Sequence, residues 1–139
     1  MVTSGSLPRR VTVILDREFG ERLRLSGSPI WIELSPTNEP IVRELWKEQP
    51  EPNHLLGVTG LPFQPEVCAE DRLLSELDTI DLHHGPYSTP EPYTELVVIG
   101  CTMRPDIRAA LANVGFDCFE EDQHGFRARR TPEQAAIMR

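Results

Sequence analysis

The alternation of short apolar segments with amphipathic segments is the feature that most constrains the fold of this chain. Residues 96–99 (LVVI) form the clearest apolar segment, and residues 10–16 (RVTVILD) are also nearly continuous in apolar, β-branched character. Runs of this kind are typical of strands that are covered on both faces of a sheet. We therefore expect both segments to lie inside a sheet.

Further strands and the helices between them follow from the same patterns. Strands are predicted at residues 30–34 and 54–61, and residues 116–128 predict either one bulged strand or a hairpin. Apolar residues at helical spacing predict helices in the segment after Asp16, from Pro40 to Trp46, from Glu70 to Gly85, from Pro105 to Gly115 and in residues 131–139.

The order of these elements defines the expected fold class. Strands that alternate with amphipathic helices favour a single three-layer α/β/α domain with a mostly parallel sheet of about five strands. The alternative is an α+β domain in which the last two segments form an antiparallel C-terminal hairpin. We expect a flexible lead-in at residues 1–9, one domain at residues 10–130, and a short C-terminal helix or tail at residues 131–139.

Composition and charge limit the partners and the location of the protein. The 139 residues carry a formal net charge of -8 at pH 7, which repels nucleic-acid phosphates and anionic membranes. No apolar run is long enough to span a bilayer, and the N-terminal residues lack the apolar segment of a secretory signal. All basic residues except Lys47 are arginines, a bias common in GC-rich bacterial genomes. We therefore predict a soluble cytoplasmic protein of bacterial type that binds neither nucleic acid nor membrane.

The three cysteines, Cys68, Cys101 and Cys118, are widely spaced and contain no C-x-x-C pair. This spacing favours reduced, buried thiols over a zinc site or a redox motif. Cys101 follows a predicted strand and precedes a predicted helix, where a helix N-terminus could lower the pKa of a nucleophilic thiol. A small buried hydrophobe at the end of a strand is the interpretation that the sequence favours for Cys101.

The residues that directly follow the predicted strands are the first candidates for a ligand site. Ligands of open parallel sheets bind outside the carboxyl ends of the strands. Neither G-x-G-x-x-G nor a P-loop occurs there, which disfavours the usual nucleotide sites. Helix capping is the favoured role for Asp16. The residues are Asp16, Arg17, Ser35, Thr59, Gly60, Cys101 and Thr102.

A second candidate site is the segment that contains Asp81, His83, His84 and Tyr87. Carboxylates and imidazoles close in sequence could act as general acid and base, and Asp81, His83 and His84 could bind a divalent metal. In a helix Asp81 and His84 would share a face, whereas in an extended segment Asp81 and His83 would do so. The alternative is structural, since histidines near a helix C-terminus interact favourably with the helix dipole. No other cofactor is predicted.

These observations leave two functional hypotheses. The first is a non-catalytic regulatory or protein-interaction module, which fits the small size, the acidic charge and the lack of an established catalytic motif. The second is a small hydrolase, metal-dependent or not, that uses Asp81, His83 and His84. Whether the protein is an enzyme is left open by the sequence.

Overall fold

The structure, a computed structural model, describes residues 10–16, 30–47, 58–80 and 92–137. These residues form six strands and four helices. In chain order they are β1 (Arg10–Ile14), β2 (Ile30–Glu33), α1 (Glu39–Lys47), β3 (Val58–Leu61), α2 (Ala69–Ile80), β4 (Glu95–Ile99), α3 (Pro105–Asn113), β5 (Cys118–Glu121), β6 (Gly125–Arg129) and α4 (Pro132–Ile137).

The six strands form one mixed sheet in the order β3-β2-β1-β4-β6-β5. The pairs β2/β3, β1/β2 and β1/β4 are parallel, whereas β4/β6 and β5/β6 are antiparallel. The predicted combination of helices with one sheet is confirmed, and within the described residues the sheet has six strands where about five were expected. The hairpin of the alternative prediction is present at its C-terminal end.

The turn between β5 and β6 explains why residues 116–128 are not one bulged strand. The Asp122 Oδ1 atom accepts the backbone N–H groups of His124 and Gly125, at 2.7 and 3.0 Å. A carboxylate that caps the amides of the following residues stabilises a tight turn. The chain therefore reverses at 122–124 and returns as a separate strand.

The central strands bury side chains on both faces of the sheet. Successive side chains of a strand point to opposite faces, so Leu96 and Val98 lie on one face and Val97 and Ile99 on the other. The first face carries the larger apolar cluster, which includes Leu73 of α2 and residues of α3. The second carries a smaller cluster with Val42 of α1. Trp31 packs against the larger cluster, as expected of a core residue.

Helix α1 begins where Ser35 and Asn38 cap each other. The Ser35 Oγ atom accepts the Asn38 N–H at 3.2 Å, and the Asn38 Oδ1 atom accepts the Ser35 N–H at 2.7 Å. This is the reciprocal arrangement of a capping box. The Asn38 side chain thus reaches back to the preceding residues, and its Nδ2 also donates to the Glu33 carbonyl at 3.0 Å.

The bounds of the remaining helices follow local signals. Helix α3 has Pro105 in its first turn and is followed by Gly115 at a φ of 100°, as predicted. Helix α2 is described only to Ile80, so the predicted extension to Gly85 lies outside the described residues. The lead-in at residues 1–9, the predicted helix after Asp16 and residues 54–57 of the predicted third strand lie outside them as well.

A buried carboxylate joins the parallel and antiparallel parts of the sheet. Glu95, at the start of β4, is only 2% exposed. Its Oε1 accepts the Arg10 Nε–H of β1 at 2.5 Å, and its Oε2 accepts the Arg129 Nε–H of β6 at 3.0 Å. The Arg127 Nε atom lies 3.4 Å from the same Oε2 atom. Burial raises the pKa of Glu95, but the hydrogen bonds from Arg10 and Arg129 outweigh it and hold the pKa below its ordinary value.

Replacing Glu95 should weaken the sheet in a pH-dependent way. We expect Glu95→Gln to lower the free energy of unfolding by about 2 kcal/mol near pH 7, less than for fully buried pairs because the arginine side chains are between 38% and 45% exposed. Since the folded-state pKa is depressed, this stabilisation is present above the ordinary carboxyl range and is lost as the pH falls through the folded-state pKa. Urea titrations of both proteins at neutral and acidic pH measure the difference, which should shrink in acid. A difference that does not change with pH would contradict the ion-pair account.

Candidate functional site

The chain changes direction in the sheet between β1 and β4. Strands β2 and β3 extend the sheet on one side of β1, after which the chain crosses back to form β4 on the other side. In open α/β sheets such a switch point opens a crevice outside the carboxyl ends of the two strands. The residues after these strands are Asp16 on one side and Gly100, Cys101 and Thr102 on the other.

The backbones of Asp16 and Gly100 approach each other closely at this point. Gly100 has a φ of 88°, and a Cβ atom at this position would lie 2.4 Å from the Asp16 backbone nitrogen. The Gly100 N–H also donates to the His124 carbonyl at 2.7 Å. Only glycine combines this backbone conformation with this proximity without strain. Gly100 therefore fixes the floor of the crevice and attaches the β5–β6 turn to it.

Two adjoining cavities make up the crevice, which we call the switch-point cleft. One cavity of about 270 Å³ is lined by Asp16, Glu70, Thr102, Asp122 and His124, among others. A wider cavity of about 600 Å³ lies between Asp16, Gly100 and residues 65–69. Asp16 and Gly100 line both cavities, so the two lie side by side at the carboxyl edge of the sheet.

Carboxylates that accept backbone hydrogen bonds dominate the chemistry of the cleft. The Glu70 Oε2 atom accepts the Thr102 N–H at 2.9 Å and the Thr102 hydroxyl at 3.0 Å, and the first of these bonds is the main cause of the lowered pKa of Glu70. Hydrogen bonds from the His124 and Gly125 amides similarly lower the pKa of Asp122. Both groups are ionised at neutral pH, so they suit the binding of a cation better than general acid catalysis.

Cys101 lies in the cleft as a protonated thiol. Its residue is 5% exposed, and burial, together with the neighbouring Glu70 carboxylate, raises the pKa of the thiol to about 12. Since the thiolate is the nucleophilic form, this environment opposes covalent catalysis. The buried-hydrophobe interpretation of Cys101 is therefore the better one.

Arg104 joins two helices by exposed ion pairs. It directly precedes α3, and its guanidinium binds Asp106 at 2.8 Å and Asp71 of α2 at 2.6 Å. The pair with Asp71 connects the start of α3 to α2. No local sequence pattern indicates the contact with Asp71, because the two residues lie 33 positions apart.

The structure brings together three of the residues predicted from the strand ends and separates others. Asp16, Cys101 and Thr102 line the same cavity. Ser35 caps α1, and Gly60 lies against Leu34, so neither lines the described cleft. Arg17 and the side chain of Thr59 lie outside the described residues.

The cleft also contains residues that the sequence did not single out. Glu70 comes from the first turn of α2, and Asp122 and His124 come from the turn between β5 and β6. The position of these residues in the cleft depends on how α2 and the hairpin pack on the sheet. For Asp122 and His124 the sequence signal is the E-E-D-Q-H-G stretch, whose composition is typical of a turn.

The second predicted site cannot be compared with the structure. Asp81, His83, His84 and Tyr87 all lie outside the described residues. Within residues 10–16, 30–47, 58–80 and 92–137, no three His, Cys, Asp or Glu side chains are placed to hold a metal ion. No helix in these ranges has the length and apolar character needed to cross a membrane.

Comparison of the chain with protein-family models, with curated proteins and with solved structures found no match. The chemistry of the protein is therefore inferred from its own side chains and backbone.

The close approach at Gly100 should make this glycine hard to replace. We expect Gly100→Ala to lower the free energy of unfolding by about 2 kcal/mol or more, since the left-handed conformation and the contact with Asp16 both oppose a Cβ atom. Thermal and urea denaturation measure the loss. Ala109→Gly, on the exposed side of α3, serves as a control that should cost about 1 kcal/mol through helix propensity alone. Equal or greater stability of Gly100→Ala would contradict the described backbone.

The three thiols should differ in reactivity in the folded protein. Cys68 and Cys118 are exposed, whereas Cys101 is buried. An aromatic disulfide reagent at mildly alkaline pH should modify Cys68 first and Cys118 more slowly, because the Asp117 side chain raises the pKa of Cys118. Cys101 should react only after denaturation, and Cys101→Ala should leave the native reaction unchanged. Rapid labelling of Cys101 in the folded protein, located by mass spectrometry, would refute its assignment as a buried thiol.

Proposed function

We propose that this chain is a non-catalytic protein-interaction module, and that the outer edge of β5 binds an extended, basic segment of a partner protein. The observation that carries this proposal is that β5 forms the end of the sheet and, in the described part of the chain, pairs only with β6. An unpaired edge presents a row of backbone donors and acceptors that another chain can bind. Addition of a strand to such an edge is a common mode of peptide recognition.

The hydrogen-bond pattern of the hairpin identifies the backbone groups at this edge. The Asp122 N–H donates to the Gly125 carbonyl, and hydrogen-bonded pairs recur at every second residue of an antiparallel ladder. Glu120, opposite Arg127, therefore directs its backbone groups toward β6. Phe119 and Glu121 direct theirs to the open side, where they could pair with a partner strand.

The charge of this edge indicates the chemistry of the partner. Four carboxylates, those of Asp117, Glu120, Glu121 and Asp122, occur within residues 117–122, and all four residues are exposed. We call this stretch the acidic edge. Lysine and arginine side chains on a partner strand would face opposite charges, and oppositely charged pairs across strands are stabilising. The switch-point cleft, which shares Glu121 and Asp122 with the acidic edge, adds the carboxylates of Asp16 and Glu70 nearby.

A second copy of this chain fits the acidic edge less well. Pairing of β5 with the β5 strand of another copy would place carboxylates opposite carboxylates, and like charges directly opposite each other destabilise a ladder. The net charge of -8 adds a general repulsion between copies. The charges at the edge therefore oppose self-association and favour a basic partner.

We also propose how the helices are arranged around the sheet. We infer a three-layer domain with α1 on one face and α2 and α3 on the other, and the two apolar clusters support it. A cytoplasmic location stays a prediction. The hydrolase hypothesis also stays a prediction, because Asp81, His83 and His84 lie outside the described residues and no other observation favours it.

Titration with a synthetic peptide tests the proposed interaction. A short peptide of alternating arginine and valine should cause saturable amide shifts at Phe119 and Glu121 in the ¹⁵N-labelled full chain. A peptide with glutamate in place of arginine should bind at least about tenfold more weakly. Raising the salt concentration should weaken the binding of the basic peptide.

Charge-reversal variants separate binding at the acidic edge from general attraction to an acidic protein. The double variant Glu120→Lys with Glu121→Lys should abolish binding of the basic peptide. The double variant Glu44→Lys with Asp78→Lys, which changes two exposed acids on α1 and α2, is the matched control and should bind nearly as well as the unaltered chain. Equal weakening by both variants, or shifts spread over the surface without saturation, would overturn the proposal.

A further inference from the structure

A groove of about 560 Å³ lies on the sheet face opposite α2 and α3, at the junction of β4, β6 and β5. We call it the sheet-face groove. Val97 and Ile99 of β4 contribute apolar side chains on this face. Gly125 contributes none, and a Cβ atom there would lie 1.9 Å from the Val98 carbonyl oxygen, so the position is restricted to glycine. The size is within the range of about 300 to 1,000 Å³ typical of small-molecule pockets.

Arg127 gives the groove a cationic group with donors left over. It forms an ion pair with Glu95, whose Oε2 lies 3.4 Å from the Arg127 Nε, but the two oxygens of Glu95 already accept hydrogen bonds from Arg10 and Arg129. The Arg127 Nε atom is buried and makes no hydrogen bond in the described part of the chain. A guanidinium presents its donors in a fork that matches a carboxylate. Arg127 is therefore suited to bind a carboxylate that enters the groove.

Glu120 supplies the anionic group of the groove. It pairs directly with Arg127 across the β5/β6 ladder, so the two side chains lie on the same face. One of its oxygens, Oε1, binds Arg129 at 3.0 Å. The other two acids at the rim have separate roles, because Glu121 accepts the Met103 N–H and Asp122 caps the turn. The groove thus combines an apolar floor with one guanidinium and three carboxylates, of which Glu121 and Asp122 already accept backbone N–H groups.

We propose that the sheet-face groove binds the zwitterion of a small apolar α-amino acid. Its carboxylate would bind Arg127, its ammonium group would bind Glu120, and its side chain would cover Val97 and Ile99. A ligand with both a carboxylate and an ammonium group would add a partner to Arg127 and to the second oxygen of Glu120 together, whereas a simple organic anion or cation would add a partner to only one of them. This site goes beyond the proposed protein interaction, since it would let a metabolite occupy the face of the same hairpin.

Ligands that lack one group at a time test this assignment. The probes are L-phenylalanine, 3-phenylpropionate without the ammonium group, 2-phenylethylamine without the carboxylate, and glycine without the side chain. In a titration of the ¹⁵N-labelled full chain, L-phenylalanine should give saturable shifts at Val97, Ile99 and Gly125. Each of the other probes should bind at least about tenfold more weakly. Equal binding of a truncated probe, or no saturable shift with L-phenylalanine, would overturn the proposal.

Two variants locate the binding. Arg127→Gln should weaken the binding of L-phenylalanine at least about tenfold and leave the weak binding of 2-phenylethylamine unchanged. Val97→Phe, which fills the groove without changing its charge, should abolish binding of every probe. Arg108→Gln is the matched control, because Arg108 lies over Phe119 at 4.8 Å and does not line the groove.

These variants also separate this proposal from the interaction at the acidic edge. Neither Arg127→Gln nor Val97→Phe removes an acid of that edge, so the basic peptide should still bind both variants. Thermal denaturation establishes that each variant is folded, and Arg127→Lys, which keeps the charge but loses the fork, should bind L-phenylalanine with intermediate strength. Unchanged L-phenylalanine binding by folded Arg127→Gln and Val97→Phe would contradict the site.

Discussion

The pairing of β4 with two neighbours of opposite direction is the constraint on which the rest of the structure depends. β4 runs parallel to β1 and antiparallel to β6, and each pairing extends over the whole strand. Glu95 reinforces this junction, because its carboxylate binds Arg10 on one side and Arg129 on the other. Removing one partner of a buried ion pair leaves an uncompensated charge, so loss of either arginine would destabilise this junction.

All three candidate binding regions follow from this junction. At the carboxyl end of β4 the chain must pass Asp16 of the neighbouring strand, and only Gly100 allows this approach, so a cleft opens between the two strand ends. On the other side of β4, the antiparallel hairpin ends the sheet with β5. The acidic edge of β5 and the sheet-face groove next to it are therefore consequences of how β4 is paired.

Local sequence patterns predicted much of the fold, whereas contacts between residues far apart in the sequence could not be predicted from them. The apolar runs around Val13 and Val98 predicted buried strands because burial on both faces leaves a continuous signature. The strand-end rule correctly placed Asp16 near Thr102. In contrast, Glu70 and His124 join the cleft only through the docking of α2 and the hairpin. The contact between Arg10 and Glu95 depends on strand register across 85 positions, which no local pattern encodes.

The most direct test of this account is the amide hydrogen exchange of the folded full chain, measured residue by residue. The amides of Val98 and Glu120 should exchange slowly, since the first lies in the central strand and the second bonds to β6. The amides of Phe119 and Glu121 should exchange fast and become protected when a basic strand is added. Protection of Phe119 and Glu121 equal to that of Glu120 in the free protein would contradict an open edge at β5.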